Sequence, residues 1–174
     1  DAFSFVWVTD FPLFGWNAEE RRFEPEHHPF TGIHPDDIKL LDNQQEMEKI
    51  RSQSYDLVLN GVEICSGSIR IHDSALQKKI FEVIGLSEEE AKIKFGFFIE
   101  ALKYGTPPHG GTAPGLDRLI MILAGQESIR EVIAFPKNKF AEALMEESPG
   151  EINDRQLKEL HIKSDLPKDK DHKS

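Results

Sequence analysis

The stretch YDLVLNGVEICSGSIRIH, residues 55–72, decides the fold, because two apolar runs in it are joined by Asn60-Gly61. An Asn-Gly pair between alternating apolar residues is the strongest short signal for a β-hairpin with a type I′ turn. A two-residue turn at this point pairs the residues on either side of it directly across the two strands. The sequence therefore predicts an antiparallel sheet that is built around this hairpin.

The turn also predicts which side chains share a face of the hairpin. It pairs Val58 with Glu63 and Asp56 with Cys65, and these four residues would lie on the same face. Asp56 and Glu63 would then lie diagonally to each other, which is unfavourable unless a cation lies between the two carboxylates. A Mg²⁺ site is one interpretation, since this ion favours a few carboxylates together with substrate phosphates. A ribbon that presents two unrelated carboxylates to solvent is the other interpretation.

Arg70 lies an odd number of residues after Glu63, so strict alternation would place it on the opposite face of the strand. Between them lies Ser66-Gly67-Ser68, and a glycine inside a strand often marks a β-bulge. We predict one bulge within residues 66–68. It would bring Arg70 to the face of the carboxylates and turn Ile69 and Ile71 toward the core.

A second stretch, YGTPPHGGTAPGLDRLIMILAG at residues 104–125, leads from a segment rich in proline and glycine into an amphipathic helix. The spacing of its apolar residues predicts a helix that begins near Leu116 and ends at Gly125. Arg118 lies in the first turn of this helix, where it could stack on an aromatic base or bind phosphate. The alternative is a structural arginine at the helix edge, paired with Asp117.

Arg70 and the histidine pair His27-His28 also have two interpretations each. The guanidinium of Arg70 could bind a carboxylate or phosphate with two parallel hydrogen bonds, or form a surface ion pair with Asp73 or Glu63. The two histidines could bind a ligand or a metal, or they could be structural. The residues alone leave these alternatives open.

Other local patterns predict the remaining elements, and N-cap signals at Asp73 and Ser87 mark the two long helices among them. We predict the α+β class, an antiparallel sheet flanked by helices, with one domain over residues 1–162 and a disordered tail over 163–174. The predicted elements are a buried strand at 3–8, a loop or hairpin at 15–26, a short helix at 35–41, helices at 74–84 and 88–104, a strand at 131–135, and short helices at 138–145 and 155–160.

Composition and the lack of common motifs exclude several classes of function. The 174 residues carry a formal net charge of −10, unlike a domain that binds nucleic acid through its whole surface. No apolar run approaches the roughly 18 residues of a membrane span, and the single cysteine, Cys65, excludes an internal disulfide. The sequence contains no Walker motif GxxxxGKS/T, no GxGxxG fingerprint and no GxSxG elbow. It therefore lacks the usual signatures of nucleoside triphosphatases, Rossmann enzymes and serine hydrolases.

Six segments resemble, in the same order, the C-terminal half of the bacterial-type aspartyl-tRNA synthetases, a family that is also used in mitochondria. The resemblance covers residues 3–162. GLDRLIMILAG resembles motif 3, a strand and helix with a required arginine, which the class II aminoacyl-tRNA synthetases share. HHPFT, SIRIH and VIAFPK are more specific to the aspartyl enzymes. The segments are HHPFT, YDLVLNGVEI, GSIRIH, FGFFIEALKYGTPPHGG, GLDRL and IREVIAFPK.

The resemblance implies part of a class II catalytic core and the activity of an aspartate–tRNA ligase. Such an enzyme activates L-aspartate with ATP, releases pyrophosphate and transfers the aspartyl group to tRNA. The resemblance also implies Mg²⁺, a homodimer for the full-length protein, no membrane, and a location in the cytoplasm or, alternatively, in an organellar matrix. Adenylate formation needs in-line positioning and neutralised phosphate charge, which a ribbon with two carboxylates and an arginine would suit.

The resemblance also implies roles for individual residues. Glu63 would bind ATP through Mg²⁺ with Asp56 as the companion metal ligand, and Glu63 and Arg118 would be the catalytic residues. Arg70 would pair with the side-chain carboxylate of aspartate, and His27 would close over the bound amino acid. The segment against which ATP would lie consists of Gly115, Leu116, Asp117 and Arg118.

Two departures from the family pattern matter. Cys65 and Ser66 stand where the family has glycines, which concerns the shape of the amino-acid pocket. The family's anticodon-binding barrel, insertion domain and motifs 1 and 2 have no counterpart in these 174 residues. We therefore expect a fragment that is inactive alone. The alternatives are a synthetase-like binding module, or a related class II enzyme such as an asparaginyl- or lysyl-tRNA synthetase or an asparagine synthetase.

Overall fold

A computed structural model describes residues 2–163 and 165 of the chain. The chain divides into two compact units, Asp1–Ile129 and Arg130–Ser174. The prediction of one domain over 1–162 stays a prediction, and the predicted disordered tail at 163–174 lies outside the described residues except for residues 163 and 165. Among the described residues, no helix is both long and apolar enough to cross a membrane.

The first unit is built on a four-stranded antiparallel sheet, as predicted. The central pair of strands is the hairpin that the Asn-Gly turn predicts, and a glycine-rich strand extends the sheet on one side. The strand order is β1-β4-β5-β6, with β1 at Phe5–Thr9, β4 at Ser54–Leu59, β5 at Val62–Ile69 and β6 at Gly110–Pro114.

The hairpin turn itself forms as predicted. Asn60 and Gly61 have φ angles of 50° and 82°, the left-handed values that a type I′ turn requires at both positions. Val58 lies opposite Glu63, which is the predicted pairing.

The bulge of the hairpin lies nearer the turn than the predicted position at 66–68. The register shifts at Ile64, after which Asp56 pairs with Ser66 and not with Cys65. Cys65 therefore points to the opposite face from Asp56, contrary to the prediction. Ile64 is buried, so the bulge occurs where an apolar side chain leaves the alternating pattern to join the core.

Burial at the edges of the sheet differs from the prediction at two places. Every residue of β1 is exposed, because this edge strand contacts chiefly its neighbour β4 and little packs on its two faces. Its aromatic and β-branched composition predicts a strand correctly but predicts burial wrongly. Ile71 is buried as predicted, whereas Ile69 is 40% exposed.

The core lies beside the sheet, among a small hairpin, two short 3-10 helices and the first long helix. The predicted excursion at 15–26 is a hairpin of β2, Phe14–Asn17, and β3, Arg22–Pro25. The 3-10 helices span Pro35–Asp42 and Gln44–Lys49. The buried cluster consists of Leu13, Phe14, Ile33, Leu41, Met47, Ile50, Ile71 and Ile80.

Two of the α-helices of the first unit begin at the predicted caps, and a third begins near Leu116, as predicted. The side chain of Asp73 caps α1, Ser74–Val83, and Ser87 forms a capping box with Glu90 at the start of α2, Glu88–Leu102. Helix α3, Leu116–Leu123, follows β6 directly, and Gly125 beyond it has a φ of 65°.

The second unit corrects two predictions and confirms one. The predicted strand at 131–135 is absent from the described residues, where a 3-10 turn at Ile129–Glu131 leads into bends, because the β-branched run is short and ends at a proline. The predicted helix at 138–145 is also wrong. The Asn138 side chain accepts hydrogen bonds from the backbone N–H groups of Phe140 and Glu142, which favours turns over a helix. Helix α4 forms at Asp154–Glu159, as predicted.

Candidate active site

One face of the sheet, which we call the polar face, gathers the predicted functional residues of the hairpin. The register brings Asp56 and Glu63 to this face, as predicted, and adds Ser66. The residues that the register places there include Ser54, Asp56 and Val58 of β4, Glu63, Ser66 and Ser68 of β5, and Gly111 and Ala113 of β6.

Arg70 lies on the same face, just beyond the end of β5. It is two residues after Ser68, and its Nη2 atom lies 3.6 Å from the point where a Cβ would stand at Gly111. The backbone of Arg70 forms an isolated bridge with Thr31, which ties the end of the strand to the loop that follows β3. One bulge thus brings Arg70 to the face of Glu63, as the sequence predicted, although the bulge itself lies at Ile64.

A cavity of about 340 Å³ opens onto the polar face. Two of the predicted site residues, His27 and Asp56, line it, and Ser66 and Glu26 line it as well. Within the described part of the chain, the Asp56 carboxylate makes no ion pair or hydrogen bond. The cavity is therefore acidic and has an uncompensated carboxylate in its wall, which suits a cationic group such as an ammonium or a metal ion. The lining consists of Phe11, Pro12, Glu26, His27, Ser54, Asp56 and Ser66.

Glu63 and Arg118 form a second cluster of the polar face. Arg118 Nη1 donates to the backbone oxygen of Glu63 at 2.7 Å and to its Oε1 at 3.2 Å. Both side chains are about half exposed, at 46% for Arg118 and 47% for Glu63. The ion pair forms with Glu63, and not with the neighbouring Asp117 that the structural interpretation favoured. An exposed pair of this kind is weak and can open to admit a charged ligand.

The backbone of β5 fixes the start of α3 next to this pair. The N–H of Gly115 donates to the carbonyl of Ile64 at 2.8 Å, so the first turn of α3 lies beside the bulge. Leu116 is 66% exposed and Asp117 is also exposed, so the predicted ATP segment borders solvent.

A third cluster joins Arg70 to His28. Arg70 Nη1 lies 3.2 Å from His28 Nδ1. Arg70 is half-buried, and among the described residues its guanidinium has no carboxylate partner, so the predicted alternatives of Asp73 and Glu63 do not form. A half-buried cation without a counter-ion is a candidate site for an anionic ligand.

His28 is the residue of the site that the sequence indicated least well, because the binding role fell on His27 alone. Burial, together with the charge of Arg70 and the neighbouring His27, lowers the pKa of His28 from 6.5 to about 4. The two rings pack with centroids 4.5 Å apart. The position of His28 in a histidine pair before a proline is the one sequence signal that could have indicated its role.

Cys65 and Ser66, which replace two glycines of the family pattern, have different environments. The Sγ atom of Cys65 lies 2.9 Å from Thr112 Oγ1, whereas Ser66 lines the cavity on the polar face. Gly67 follows them, and a Cβ there would stand 2.3 Å from the carbonyl oxygen of Gly111. The third position therefore requires glycine, while the first two accept side chains.

Comparisons with known proteins agree with this arrangement. The family model described as tRNA synthetases class II (D, K and N) matches residues 1–139. The chain belongs to this family. Within it, the match contains the hairpin, the cavity residues and the Arg118 helix.

The most similar curated relatives include two bacterial enzymes named aspartate–tRNA(Asp/Asn) ligase. The one from Caldanaerobacter subterraneus subsp. tengcongensis is 58% identical over 164 residues, which cover 94% of this chain and 27% of that protein. The one from Magnetococcus marinus is 55% identical over 170 residues, which cover 94% of this chain and 28% of that protein. This family member thus spans little more than a quarter of the length of these relatives.

Solved structures of synthetases share the fold. An aspartyl tRNA synthetase from Entamoeba histolytica superposes with a TM-score of 0.56 at 28% identity, covering 78% of this chain and 23% of that one. An aspartyl-tRNA synthetase from Leishmania major Friedlin superposes with a TM-score of 0.54 at 25% identity, over 78% of this chain and 22% of that one. The antiparallel sheet with its helices is therefore part of a class II synthetase fold.

Proposed function

We propose that this chain is the C-terminal part of the catalytic domain of an aspartyl-tRNA synthetase, which activates L-aspartate with ATP and transfers it to tRNA. The observation that carries the proposal is the half-buried guanidinium of Arg70. It has no carboxylate partner among the described residues and lies on the polar face that bears the cavity. The names of relatives up to 58% identical support the reaction and suggest aspartate and asparagine tRNAs as acceptors.

Arg70 would bind the side-chain carboxylate of aspartate. Its planar guanidinium matches a carboxylate with two parallel hydrogen bonds, and the described residues offer it no competing anion. Asparagine presents a neutral amide instead, which would leave the cation uncompensated, so the same residue would reject asparagine. His27 would close over the bound amino acid, since its exposed ring lines the cavity.

Glu63 and Arg118 would act on ATP as the catalytic residues. An oxygen of the α-carboxylate of aspartate attacks the α-phosphorus of ATP, the bond to pyrophosphate breaks, and aspartyl-adenylate forms. The hydroxyl of the tRNA 3′-terminal adenosine then takes the aspartyl group, and AMP leaves. The first step depends on positioning and charge neutralisation more than on proton transfer, and Arg118 supplies positive charge where α3 begins. The ATP segment would consist of Gly115, Leu116, Asp117 and Arg118.

Asp56 and Glu63 fit a Mg²⁺ ion that takes its remaining ligands from phosphate and water. Both carboxylates lie on the polar face, and within the described residues Asp56 has no competing partner. The described residues contain no group of three or more His, Cys, Asp or Glu side chains that could hold a metal. A site with only the two carboxylates of Asp56 and Glu63 would suit Mg²⁺, which binds through one or two carboxylates plus substrate phosphates. When bound, the ion would neutralise phosphate charge.

Two further expectations rest on the family resemblance. The complete protein would be a homodimer, and it would act in the cytoplasm or in an organellar matrix. Sedimentation velocity of the longer polypeptide that carries this chain would test the first, with a single species of twice the protomer mass as the expected result.

The substitution Arg70→Leu tests the proposed function, in a polypeptide that carries this chain as the C-terminal part of a complete synthetase. We expect aspartate-dependent ATP–pyrophosphate exchange to fall at least about a hundredfold, because the substrate carboxylate loses its counter-charge. Arg155→Leu is the matched control, since the Arg155 side chain is 88% exposed on α4. Retained preference for aspartate over asparagine in Arg70→Leu would contradict the role of Arg70.

The same assay separates the alternatives. Exchange that depends on asparagine or lysine in the unsubstituted protein would indicate a related class II enzyme. A lack of exchange with every amino acid tested would indicate a synthetase-like binding module. Aspartate-dependent exchange followed, when ammonia is supplied, by release of asparagine and AMP without formation of aspartyl-tRNA would indicate an ammonia-dependent asparagine synthetase.

A further inference from the structure

We propose that His28 is a positioning residue that orients Arg70 for aspartate and thereby helps the site to discriminate aspartate from asparagine. This inference rests on the proposed function, and it concerns a residue to which the family resemblance gave no role. His28 would act through Arg70 and would not itself touch the reacting atoms.

The contacts of one ring nitrogen determine the chemical state of His28. Its Nδ1 atom lies 3.2 Å from the backbone nitrogen of Phe30, 3.2 Å from Arg70 Nη1 and 3.3 Å from Thr31 Oγ1. A backbone N–H and a guanidinium N–H can only donate, so Nδ1 must be the unprotonated acceptor of the ring. The geometry therefore requires the neutral imidazole that carries its proton on Nε2.

The loop around His28 is held in place by hydrogen bonds from two directions and by the burial of one of its residues. The backbone N–H of Ile71 donates to the carbonyl of Phe30 at 3.0 Å, and Gln77 Nε2 of α1 donates to the carbonyl of Pro29 at 2.8 Å. Thr31 is buried, with 1% of its surface exposed. An acceptor on such a loop is fixed before the ligand arrives, which is the requirement for orienting a flexible arginine.

Aromatic packing adds to this anchoring. The ring of Phe30 lies within a cluster of phenylalanines from both long helices, with its centroid 4.8 Å from that of Phe98 and 5.2 Å from that of Phe95. Edge-to-face contacts of this kind stabilise the packing beyond the effect of the apolar area that they bury. The His28 loop is thus anchored by the helices, while its imidazole reaches back to the sheet.

A neutral partner orients Arg70 without cancelling its charge. A carboxylate in the place of His28 would compensate the guanidinium and weaken its attraction for a substrate carboxylate. Burial lowers the pKa of His28, and the charges of Arg70 and His27 add to this effect, so the imidazole stays unprotonated at neutral pH. The full positive charge of Arg70 therefore remains available: one of its N–H groups contacts His28, and the others have no partner among the described residues.

Two substitutions at position 28 separate orientation from simple packing. In His28→Asn the amide oxygen takes the place of Nδ1 and can accept from Arg70. In His28→Leu a side chain of similar bulk offers no acceptor. The matched control is His72→Leu, because His72 is exposed.

The first measurement needs no catalysis. In the 174-residue chain, ¹⁵N NMR of the imidazole should show the Nε2–H tautomer at pH 7, and Arg70→Met should raise the pKa of His28. His28→Leu should broaden or shift the Arg70 Nε resonance, and His28→Asn should restore it. An Nδ1–H tautomer, or an Arg70 resonance that is unchanged in His28→Leu, would contradict the proposal whatever the protein's activity.

The second measurement uses the complete synthetase and ATP–pyrophosphate exchange. We expect His28→Leu to raise the KM for aspartate about ten- to a hundredfold, which is the loss expected for one hydrogen bond to a charged group, while kcat changes less. The preference for aspartate over asparagine should fall with it, and His28→Asn should recover most of both. Unchanged KM and preference in His28→Leu would overturn the positioning role, whereas a wild-type protein that does not activate aspartate would overturn the proposed function.

Discussion

At the scale of single residues, Asp37 and Arg51 illustrate a charge pair whose role is structural. Asp37 accepts from Arg51 Nε at 2.8 Å and from Arg51 Nη2 at 2.9 Å, and this pair ties the first 3-10 helix to the segment before β4. These hydrogen bonds lower the pKa of Asp37 from 3.8 to about 2. Since the folded-state pKa lies below the ordinary value, the pair stabilises the fold above pH 4 and loses this contribution as the pH falls toward 2.

The substitution Asp37→Asn tests this pair. We expect it to lower the melting temperature by several degrees at pH 7 and to remove the part of the acid destabilisation that develops below pH 4, because an amide does not titrate. The matched control is Asp36→Asn, since the Asp36 side chain is 79% exposed and its Oδ2 lies 4.0 Å from Arg51 Nη2, too far for a hydrogen bond. Thermal unfolding followed by circular dichroism between pH 7 and 3 measures both effects. Equal losses in the two variants at pH 7 would contradict the role of the pair.

Ser66 is the residue whose side chain most directly changes the shape of the cavity relative to the family pattern. It lines the cavity opposite Asp56, whereas the neighbouring Cys65 points to the other face of β5, toward Thr112. The sequence left open whether these side chains crowd the pocket or point away from it. Because side chains alternate along the strand, the Ser66 side chain points toward the cavity and the Cys65 side chain points away from it.

The paired substitutions Ser66→Val and Cys65→Val test this difference in the complete synthetase. Valine suits a strand at both positions, so we expect both variants to fold. Only Ser66→Val adds bulk to the cavity, and we expect its KM for aspartate to rise about tenfold or more, in keeping with the cost of overpacking. Initial rates of pyrophosphate exchange at varied aspartate concentration measure the effect. A larger increase in Cys65→Val would reverse the assignment of the two faces.

At the scale of secondary-structure elements, local signals predicted what local interactions determine. The Asn60-Gly61 turn, the Asp73 cap and the capping box at Ser87 depend on neighbours within a few residues, and the structure contains all three. The bulge was displaced to Ile64, because its position depends on whether an apolar side chain finds the core across the sheet. Alternation along one strand carries no information about that contact.

Burial and irregular structure were predicted less well for the same reason. The composition of β1 indicates a strand, but its exposure follows from how little packs on its two faces, which only the tertiary arrangement determines. In the predicted helix at 138–145, helix propensity competes with the hydrogen bonds of the Asn138 side chain, and the turn prevails. At the candidate site, residue types indicated Arg70, whereas its partner His28 became evident only from the fold.

Gly67 allows β5 and β6 to pair closely because it has no side chain. A Cβ at this position would lie 2.3 Å from the carbonyl oxygen of Gly111 and 2.7 Å from the Tyr55 ring, and the Tyr55 hydroxyl donates to that same carbonyl. The backbone of β6 cannot retreat without losing this hydrogen bond and the ladder to β5. The close approach of these strands therefore requires glycine at 67.

We expect Gly67→Ala to destabilise the fold by about 1–3 kcal/mol, the usual cost of forcing a side chain into a closely packed site. Gly111→Ala is the matched control, because a Cβ there meets only Arg70 Nη2 at 3.6 Å, an ordinary contact distance. Urea unfolding at pH 7, monitored by far-UV circular dichroism, gives both free energies. A Gly67→Ala variant that is as stable as Gly111→Ala would show that β5 and β6 do not approach as closely as described.

At the scale of the whole molecule, the proposed function would assign one set of groups in this chain to aspartate and one to ATP. Arg70 with His28 would serve aspartate, and Glu63 with Arg118 would serve ATP, both on the polar face of one sheet. The chain spans 27% of the length of the Caldanaerobacter relative. Adenylate formation needs several positive groups around the triphosphate, and among the predicted ATP residues only Arg118 is cationic.

We therefore expect the isolated 174-residue chain to show no aspartate-dependent ATP–pyrophosphate exchange and no aminoacylation of tRNA. Two controls are needed to interpret this negative result. The full-length Caldanaerobacter relative, which is 58% identical over the matched region, should be active in the same assay, and its own segment of 164 matched residues should be as inactive as this chain. Two-dimensional NMR of the isolated chain establishes that it is folded, so that inactivity reflects missing groups and not a missing structure. Measurable aspartate-dependent exchange by the folded chain would mean that Glu63 and Arg118 suffice for catalysis, and the proposal that the ATP site is incomplete in this chain would be wrong.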